Sequence, residues 1–123
     1  MFLTGKRLYD SDIEILLKFA ILFINMKTLE EIEQILKAQK PYLKEKYHIS
    51  EVGVFGSYVR GEQTRKSDVD VLVTFDSYEG LGLKYFGIGP YLSDLIGVKV
   101  DLVDKKGLKP IIGKYILEEA VYL

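Results

Sequence analysis

The chain contains no cysteine, no tryptophan and only one histidine among its 123 residues. Without cysteine the protein has no disulfide, no thiolate zinc site and no cysteine nucleophile. The single histidine, His48, excludes most histidine-rich metal centres. The chain also lacks a strong excess of positive or negative charge, since 17 basic and 18 acidic residues leave a formal net charge of −1. Because dedicated nucleic-acid-binding domains are strongly basic, we expect no direct nucleic-acid binding.

A long hydrophobic run is absent as well. The most apolar stretch, residues 13–25, carries Glu14 and Lys18 and is shorter than the roughly 20 residues that a membrane-spanning helix needs. Acidic residues precede this stretch and no small-residue cleavage site follows it, so it is a poor secretion signal. We therefore expect a cytoplasmic protein that has no membrane partner.

The first 25 residues differ in character from the rest of the chain. Apolar side chains fill nearly every face of the helix predicted there, and such a helix has to be buried against something. Thr28 and Glu31 then have capping-box spacing at the start of a second helix with an apolar face. Residues 1–25 are either an ordinary N-terminal helix or an upstream extension. We predict an apolar helical extension at 1–25 and a core domain at 26–123.

Prolines and glycines divide the core domain into alternating helices and strands. Pro41 is expected to end or kink the first core helix, and Pro90 and Pro110 are expected to open later helices. Gly97 has the position of a residue that ends the Pro90 helix. Strand-like segments are predicted at 51–55, 67–75 and 98–104, with a glycine-rich loop at 77–89.

Two carboxylates open the second predicted strand. Asp68 and Asp70 are two residues apart, so they point to the same side of a strand at a separation of about 6.5–7 Å. Where water is partly excluded, two such charges repel and favour a cation between them. Oxygen ligands suit a hard ion such as Mg²⁺. Two solvated side chains at a strand end are the more common meaning of such a pair alone, but Asp101 on a neighbouring strand would complete a three-carboxylate site.

A Gly56–Ser57 turn follows the first predicted strand. Glycine permits a sharp turn, and serine can cap a short helix whose first N–H groups attract phosphate. The same residues also fit a plain strand–turn–helix connection. Gly56 and Gly61 have the glycine spacing of a P-loop, but Glu62 and Gln63 stand where that motif requires lysine and serine or threonine. The sequence therefore excludes a P-loop.

The segment GSYVRGEQTRKSDVDVLV resembles the G-S-x(10)-D-x-D signature of the DNA polymerase β-like nucleotidyltransferase superfamily. Ten residues separate Ser57 from Asp68, as that signature requires. Residues 27–123 resemble the minimal nucleotidyltransferases, which include antitoxins paired with HEPN-domain toxins. The resemblance implies an α+β fold in which helices flank a small mixed sheet of three to four strands. It implies a minimal nucleotidyltransferase domain over residues 26–123.

The resemblance also implies roles for the matching residues. The chemistry would be attack of a hydroxyl on the α-phosphorus of ATP with loss of pyrophosphate, assisted by two Mg²⁺ ions. Asp101 would contact a metal ion or deprotonate the attacking hydroxyl. Catalysis and metal binding would fall to three carboxylates, Asp68, Asp70 and Asp101. The nucleotide would be bound by Gly56, Ser57, Arg60, Lys66 and Ser67. Alternatively, the basic residues of this loop bind no phosphate and are simply solvated at the surface.

The implied partner is a HEPN-domain toxin, and the implied acceptor of AMP is one of its tyrosines. An apolar C-terminal helix and four tyrosines expected at the surface would form the interface. These tyrosines are Tyr85, Tyr91, Tyr115 and Tyr122. Residues 87–90 depart from related proteins, which tend to carry a longer helix there, and this departure concerns the acceptor side rather than the metal site.

Three other functions stay open at this point. The protein could be an antitoxin that neutralises a toxin by binding alone, with no catalysis. It could be a nucleotidyltransferase for a small molecule, completed by formation of a homodimer. It could also be a globular domain without a nucleotide site. The sequence does not distinguish among ATP, CTP, GTP and UTP as substrate.

Overall fold

The fold is built on a four-stranded mixed sheet. The computed structural model describes residues 10–25 and 27–123 of the chain. The strands are β1 (Ile49–Phe55), β2 (Val69–Phe75), β3 (Val100–Asp104) and β4 (Val121–Tyr122). The helices are α1 (Asp10–Asn25), α2 (Leu29–Tyr47), α3 (Ser57–Arg60), α4 (Ile88–Ile96) and α5 (Pro110–Glu119), with short 3-10 segments at Gly82–Gly87 and Lys105–Gly107.

The strand order in the sheet is β3-β2-β1-β4. Strands β2 and β3 run parallel, whereas β1 pairs antiparallel with both β2 and β4. The predicted α+β class is confirmed.

The hydrophobic core lies between the sheet and two of the helices. Helix α2 packs against β1, and α4 packs against β3. On β2, Val69, Val71 and Val73 are fully buried at alternating positions, as expected for a strand with a core-facing side. Each helix buries one face, with buried residues spaced four or seven apart. These residues are Ile32, Leu36, Leu43 and Tyr47 on α2, and Ile88, Leu92 and Ile96 on α4.

Helix α2 continues through Pro41, so the prediction that the helix could end at this residue is wrong. Proline lacks an N–H and costs an interior helix about 3 kcal/mol. On either side of Pro41, Leu36 and Leu43 are completely buried in the same core. Burying one leucine side chain contributes about 1.5–3 kcal/mol. The two flanking leucines together therefore outweigh the local cost of the proline, and the helix continues to Tyr47.

Replacing Pro41 with alanine is expected to raise the free energy of unfolding by about 1–2 kcal/mol. The side chain is exposed, and alanine would restore a backbone N–H that can donate to the carbonyl of Lys37. A more flexible unfolded chain offsets about 0.4–1 kcal/mol of the gain. Urea denaturation measures the change. Lys44→Ala, at an exposed position of the same helix, is the matched control and should stay within about 0.5 kcal/mol of wild type. A less stable Pro41→Ala protein would contradict this account.

Helix α1 is exposed to solvent instead of being buried as expected. All side chains from residue 10 to residue 20 are exposed, with Phe19 at 61% and Leu16 at 59% of full exposure. No apolar surface of the described chain covers these residues. Within the described ranges 10–25 and 27–123, no helix has the length and apolarity of a membrane span. The predicted boundary at residue 26 and the first nine residues of the predicted extension lie outside the described residues.

Several element boundaries differ from the predicted ones. Strand β2 begins at Val69, so Asp68 precedes the strand. Helix α4 begins at Ile88, which places Pro90 within its first turn, where a missing N–H costs no helical hydrogen bond. The predicted loop at 77–89 contains one of the 3-10 segments and the start of α4. Strand β4 was not predicted, because two residues are too few to show an alternation of apolar and polar side chains.

Candidate active site

The acidic residues singled out in the sequence lie at one edge of the sheet. Asp70 is the Cα partner of Phe55, the last residue of β1, and of Asp101 on β3. Because β2 is antiparallel to β1 and parallel to β3, the end of β1 and the beginnings of β2 and β3 share this edge. Neighbouring strands are about 4.8 Å apart, so Asp70 and Asp101 stand side by side. Asp68, whose side chain is 43% exposed, directly precedes β2 at the same edge.

Asp70 lies directly against the turn that follows β1. Gly56 begins this turn with φ 82° and ψ −155°, a backbone conformation essentially restricted to glycine. A Cβ atom at Gly56 would be 2.0 Å from Oδ2 of Asp70, far inside a van der Waals contact. Glycine is therefore required here both by the backbone and by the neighbouring carboxylate. Gly56 of the Gly-Ser turn and Asp70 of β2 are separated in the sequence, but they are in direct contact in the fold.

Ser57 begins α3, a single helical turn held tightly by its own backbone. The carbonyl oxygen of Gly56 accepts hydrogen bonds from the N–H groups of Val59 and Arg60, at 3.0 and 3.1 Å. The carbonyl of Ser57 accepts from the N–H of Glu62 at 2.9 Å. Ser57 is the residue after Gly56, which lies against Asp70. Its half-buried side chain is therefore at the same edge of the sheet as the acids.

The electrostatics of this edge favour a bound cation. Burial raises the pKa of Asp70, and the neighbouring carboxylates of Asp101 and Asp68 raise it further. The Arg60 guanidinium acts in the opposite direction but does not cancel these effects. A half-buried carboxylate that is destabilised by its acidic neighbours gains free energy when a positive ion reaches it. The edge is thus suited to a metal ion or to a metal-bound substrate.

The protein side chains alone do not form a closed metal cage. In the part of the chain that the structure describes, no group of three or more histidine, aspartate or glutamate side chains converges at metal-binding distance. Asp101 is exposed, and its carboxylate does not meet those of Asp68 and Asp70 at a common point. This arrangement fits Mg²⁺, which proteins usually bind through one or two carboxylates while water and substrate phosphates supply the other ligands.

Arg60 is held by two carboxylates, only one of which is nearby in sequence. Its Nε donates to Glu62 at 3.1 Å, and its Nη1 donates to Glu119 at 2.7 Å. These hydrogen bonds, the one to Glu119 first, raise the pKa of Arg60. The sequence did not predict a role for Glu119, because two adjacent glutamates at the end of a helix match no known functional motif. Only the pairing of β4 with β1 would have pointed to it.

Lys66 and Ser67 lie in the loop before β2, beside a separate cavity. The cavity has a volume of about 290 Å³ and adjoins Asp68, with several basic side chains among its lining residues. The Oγ of Ser67 accepts a hydrogen bond from the N–H of Thr64 at 2.8 Å and thereby stabilises the loop. The structure therefore places Lys66 and Ser67 next to Asp68, whereas Gly56, Ser57 and Arg60 adjoin Asp70.

The four tyrosines predicted at the surface divide into two pairs. Tyr115 and Tyr122 are exposed, at 67% and 44%. Tyr85 and Tyr91 are only partly exposed and pack against the core. Tyr91 also donates a hydrogen bond to Oε1 of Gln39 at 2.7 Å. The expected surface position therefore holds for Tyr115 and Tyr122 only, because aromatic rings beside an apolar core are more stable when packed against it. A partner interface formed by these tyrosines stays a prediction.

Comparison with known protein sequences gives matches over the same part of the chain. A family model described as a nucleotidyltransferase domain matches residues 29–123. The protein adenylyltransferase MntA of Thermococcus cleftensis is 52% identical over 98 residues, which cover 80% of this chain and 98% of that protein. A Methanocaldococcus jannaschii protein named as a protein adenylyltransferase is 52% identical over 100 residues, covering 80% of this chain and all of that protein.

Solved structures agree with these sequence matches. A structure described as a minimal nucleotidyltransferase superimposes with a TM-score of 0.67 at 34% identity, covering 80% of this chain and 99% of that one. A toxin–antitoxin structure with AMP-PNP has a TM-score of 0.56 at 20% identity, over 70% of each chain. At such identity the second likeness concerns the fold alone.

Proposed function

As this chain belongs to the nucleotidyltransferase domain family, we propose that it transfers AMP from ATP to a tyrosine of a HEPN-domain toxin and so acts as an antitoxin. The contact of Asp70 with the Gly56 turn, beside Asp68 and Asp101, is the observation that carries this proposal. The adenylyltransferase names of relatives at 52% identity support AMP as the transferred group.

The reaction exchanges one phosphorus–oxygen bond for another. The acceptor hydroxyl oxygen forms a bond to the α-phosphorus of ATP, and the bond from that phosphorus to the α–β bridging oxygen breaks. Pyrophosphate leaves with the bonding electron pair. The proton of the hydroxyl passes to a base, and the exposed carboxylate of Asp101 beside Asp70 is suited to take it.

Asp68 and Asp70 would hold Mg²⁺ together with phosphate oxygens of the nucleotide, and Asp101 would contact a second ion when it does not act as the base. Ions held there would supply positive charge that stabilises the attacking and leaving oxygens. The raised pKa of Asp70 and the open arrangement of the three carboxylates both fit ions that arrive with the nucleotide.

The phosphates would lie over the turn between β1 and α3. Gly56 allows close approach because it has no side chain, and Ser57 supplies a hydroxyl at the start of α3. Arg60, at the end of α3 and 48% exposed, supplies a positive charge that complements phosphate. Lys66 and Ser67 adjoin Asp68 and would contact the nucleotide from the other side.

The partner would dock on the exposed apolar side chains of α5. Ile111, Ile112 and Tyr115 are 77%, 61% and 67% exposed, and Tyr122 of β4 is also exposed. Exposed apolar side chains in such a cluster are typical of protein–protein interfaces. The end of α5 adjoins the Gly56 turn, so a protein bound there would lie next to the proposed nucleotide site.

Incubation with labelled ATP, Mg²⁺ and the product of a neighbouring HEPN-type reading frame is expected to label a tyrosine of that partner. Removal of Mg²⁺ by EDTA should abolish labelling, and so should Asp68→Asn. The matched control is Asp94→Asn, which changes an exposed carboxylate on α4 and should leave labelling unchanged. Mass spectrometry of the partner identifies the modified residue. Labelling that persists in Asp68→Asn would contradict the proposal.

Neutralisation by binding alone is a second candidate function, and the exposed apolar face of α5 favours it. The double variant Asp68→Ala/Asp70→Ala separates the two functions in a growth assay with the toxin. Loss of neutralisation supports AMP transfer. Full neutralisation by this variant would mean that contact with the toxin suffices.

A further inference from the structure

The hydrogen-bonded pairing of β1 with β4 ends just before Gly56, whose N–H faces the end of this pairing. Gly53 pairs with Tyr122, and Val54 pairs with Val121. The same antiparallel register places residue 119 opposite Gly56. Residue 119 is the last residue of α5, however, and its helical backbone cannot accept a strand-type hydrogen bond from Gly56.

The side chain of Glu119 takes the place of this missing strand partner. Its Oε2 accepts the hydrogen bond of the Gly56 N–H at 2.9 Å, and its Oε1 accepts that of Arg60 Nη1 at 2.7 Å. One carboxylate thus bridges both ends of the turn that carries Ser57. The two bonded groups are 4 positions apart in the sequence, whereas Glu119 is 63 positions from Gly56.

The carboxylate is ionised and well held. Burial alone would raise the pKa of Glu119, but the hydrogen bonds from Arg60 and Gly56 outweigh burial and hold the pKa below its ordinary value. Its side chain is 23% exposed, less than half the exposure of Arg60. Glu119 therefore restrains the guanidinium, which would otherwise sample many rotamers in water.

We propose that Glu119 is a positioning residue, which holds the Gly56–Ser57 turn and the Arg60 guanidinium in the geometry that receives the phosphates of the nucleotide. This inference rests on the proposed function, because it concerns the same nucleotide site. Glu119 acts through Gly56 and Arg60 and does not itself touch the nucleotide. Only one of the Arg60 nitrogens faces Glu119, which leaves other donors of the guanidinium for phosphate.

A carboxylate is required in this position because both bonded groups are donors. Glutamine would keep one oxygen for Gly56 but would turn its NH₂ group toward the guanidinium, where two donors oppose each other. Aspartate is one methylene shorter and would not span both groups. Glu119→Gln therefore removes the second hydrogen bond with almost no change in side-chain volume.

Titration of the full-length protein with ATP and Mg²⁺ in a calorimeter tests this role. We expect Glu119→Gln to weaken ATP binding by at least about tenfold, as expected for loss of a charge-assisted hydrogen bond. In the transfer assay the KM for ATP should rise by a similar factor, with kcat within about threefold of wild type. The matched control is Glu118→Gln, the exposed neighbour on α5, which should bind ATP like wild type.

A second comparison isolates the route through Arg60. In an Arg60→Ala background, Glu119→Gln should weaken ATP binding by less than about threefold, because the group that it orients is gone. Unchanged or tighter ATP binding by Glu119→Gln would overturn the proposal, whatever happens to its melting temperature. Equal effects of Glu119→Gln in both backgrounds would overturn it as well. The titration needs no acceptor, so it decides on Glu119 even if AMP transfer to the toxin fails.

Discussion

Replacing Asp70 with asparagine is expected to lower AMP transfer by at least about 100-fold while making the protein more stable. In the proposed reaction the activity falls because a neutral amide would no longer hold Mg²⁺ near the nucleotide, and lost charge stabilisation of this kind typically costs 10²-fold or more. The stability rises because the ionised carboxylate is half-buried and faces Asp101 and Asp68. Asparagine keeps the shape of the side chain and removes that repulsion.

The sign of the stability change follows from the raised pKa of Asp70. A carboxyl whose pKa is higher in the folded state than its ordinary value of 3.8 binds its proton more tightly when folded. The folded state thus loses stability as the pH rises from the ordinary pKa through the raised one. Asp70→Asn should therefore melt a few degrees higher than wild type at pH 7, with little difference below the ordinary pKa.

Thermal unfolding in EDTA, followed by circular dichroism at pH 7 and at acidic pH, measures this difference without metal binding. Asp76→Asn is the matched control, since Asp76 is exposed just beyond the other end of β2. That variant should match wild type in both melting temperature and AMP transfer. A lower melting temperature for Asp70→Asn at pH 7 would show that Asp70 is stabilised in the folded protein, contrary to this account.

Gly56→Ala is expected to destabilise the fold by about 3 kcal/mol and to abolish AMP transfer. The backbone conformation with φ 82° and ψ −155° disfavours any side chain, at a cost of about 1–3 kcal/mol. The new methyl group would also meet Oδ2 of Asp70 at 2.0 Å, so the carboxylate or the turn has to move. Either movement displaces a group that the proposed reaction needs.

Gly97→Ala is the control for backbone strain alone. Gly97 also has a positive φ, at 80°, but no atom lies within 4 Å of the position of its Cβ. This variant should lose about 1 kcal/mol and keep its activity. In an Asp70→Ala background, Gly56→Ala should cost less than in wild type, because the clashing oxygen atoms are absent. Equal stability losses for Gly56→Ala and Gly97→Ala in urea denaturation would refute the clash.

The sequence was sufficient to predict three of the four strands in the described chain and the acids that lie beside the Gly56 turn. Alternating valines predicted β2, and the ten-residue spacing between Ser57 and Asp68 linked the turn to the acids. The alternation of valines is a local pattern, because the period of side chains depends on adjacent residues. The link between the turn and the acids came from the resemblance to the nucleotidyltransferase signature. The pairing of Asp70 with Asp101 was predicted only conditionally, since strand order depends on contacts between distant segments.

The features that sequence reasoning missed depend on tertiary contacts. The continuity of α2 through Pro41 depends on burial of Leu36 and Leu43, which no local rule includes. The partly buried state of Tyr91 depends on its place beside Gln39 of α2, which is 52 positions away in the sequence. Glu119 acquires its partners only when β4 has aligned beside β1.

The 63-residue separation between Gly56 and Glu119 has a consequence for the order in which the protein forms. During synthesis, the chain from β1 to β3 leaves the ribosome before Glu119 does, and the core of that part can begin to assemble. Closing the long loop that brings α5 to the Gly56 turn comes afterwards, because its entropy cost is repaid only when β4 pairs with β1. Until β4 has paired with β1, the chain carries the acids without the completed turn, so the proposed nucleotide site is the last part to form.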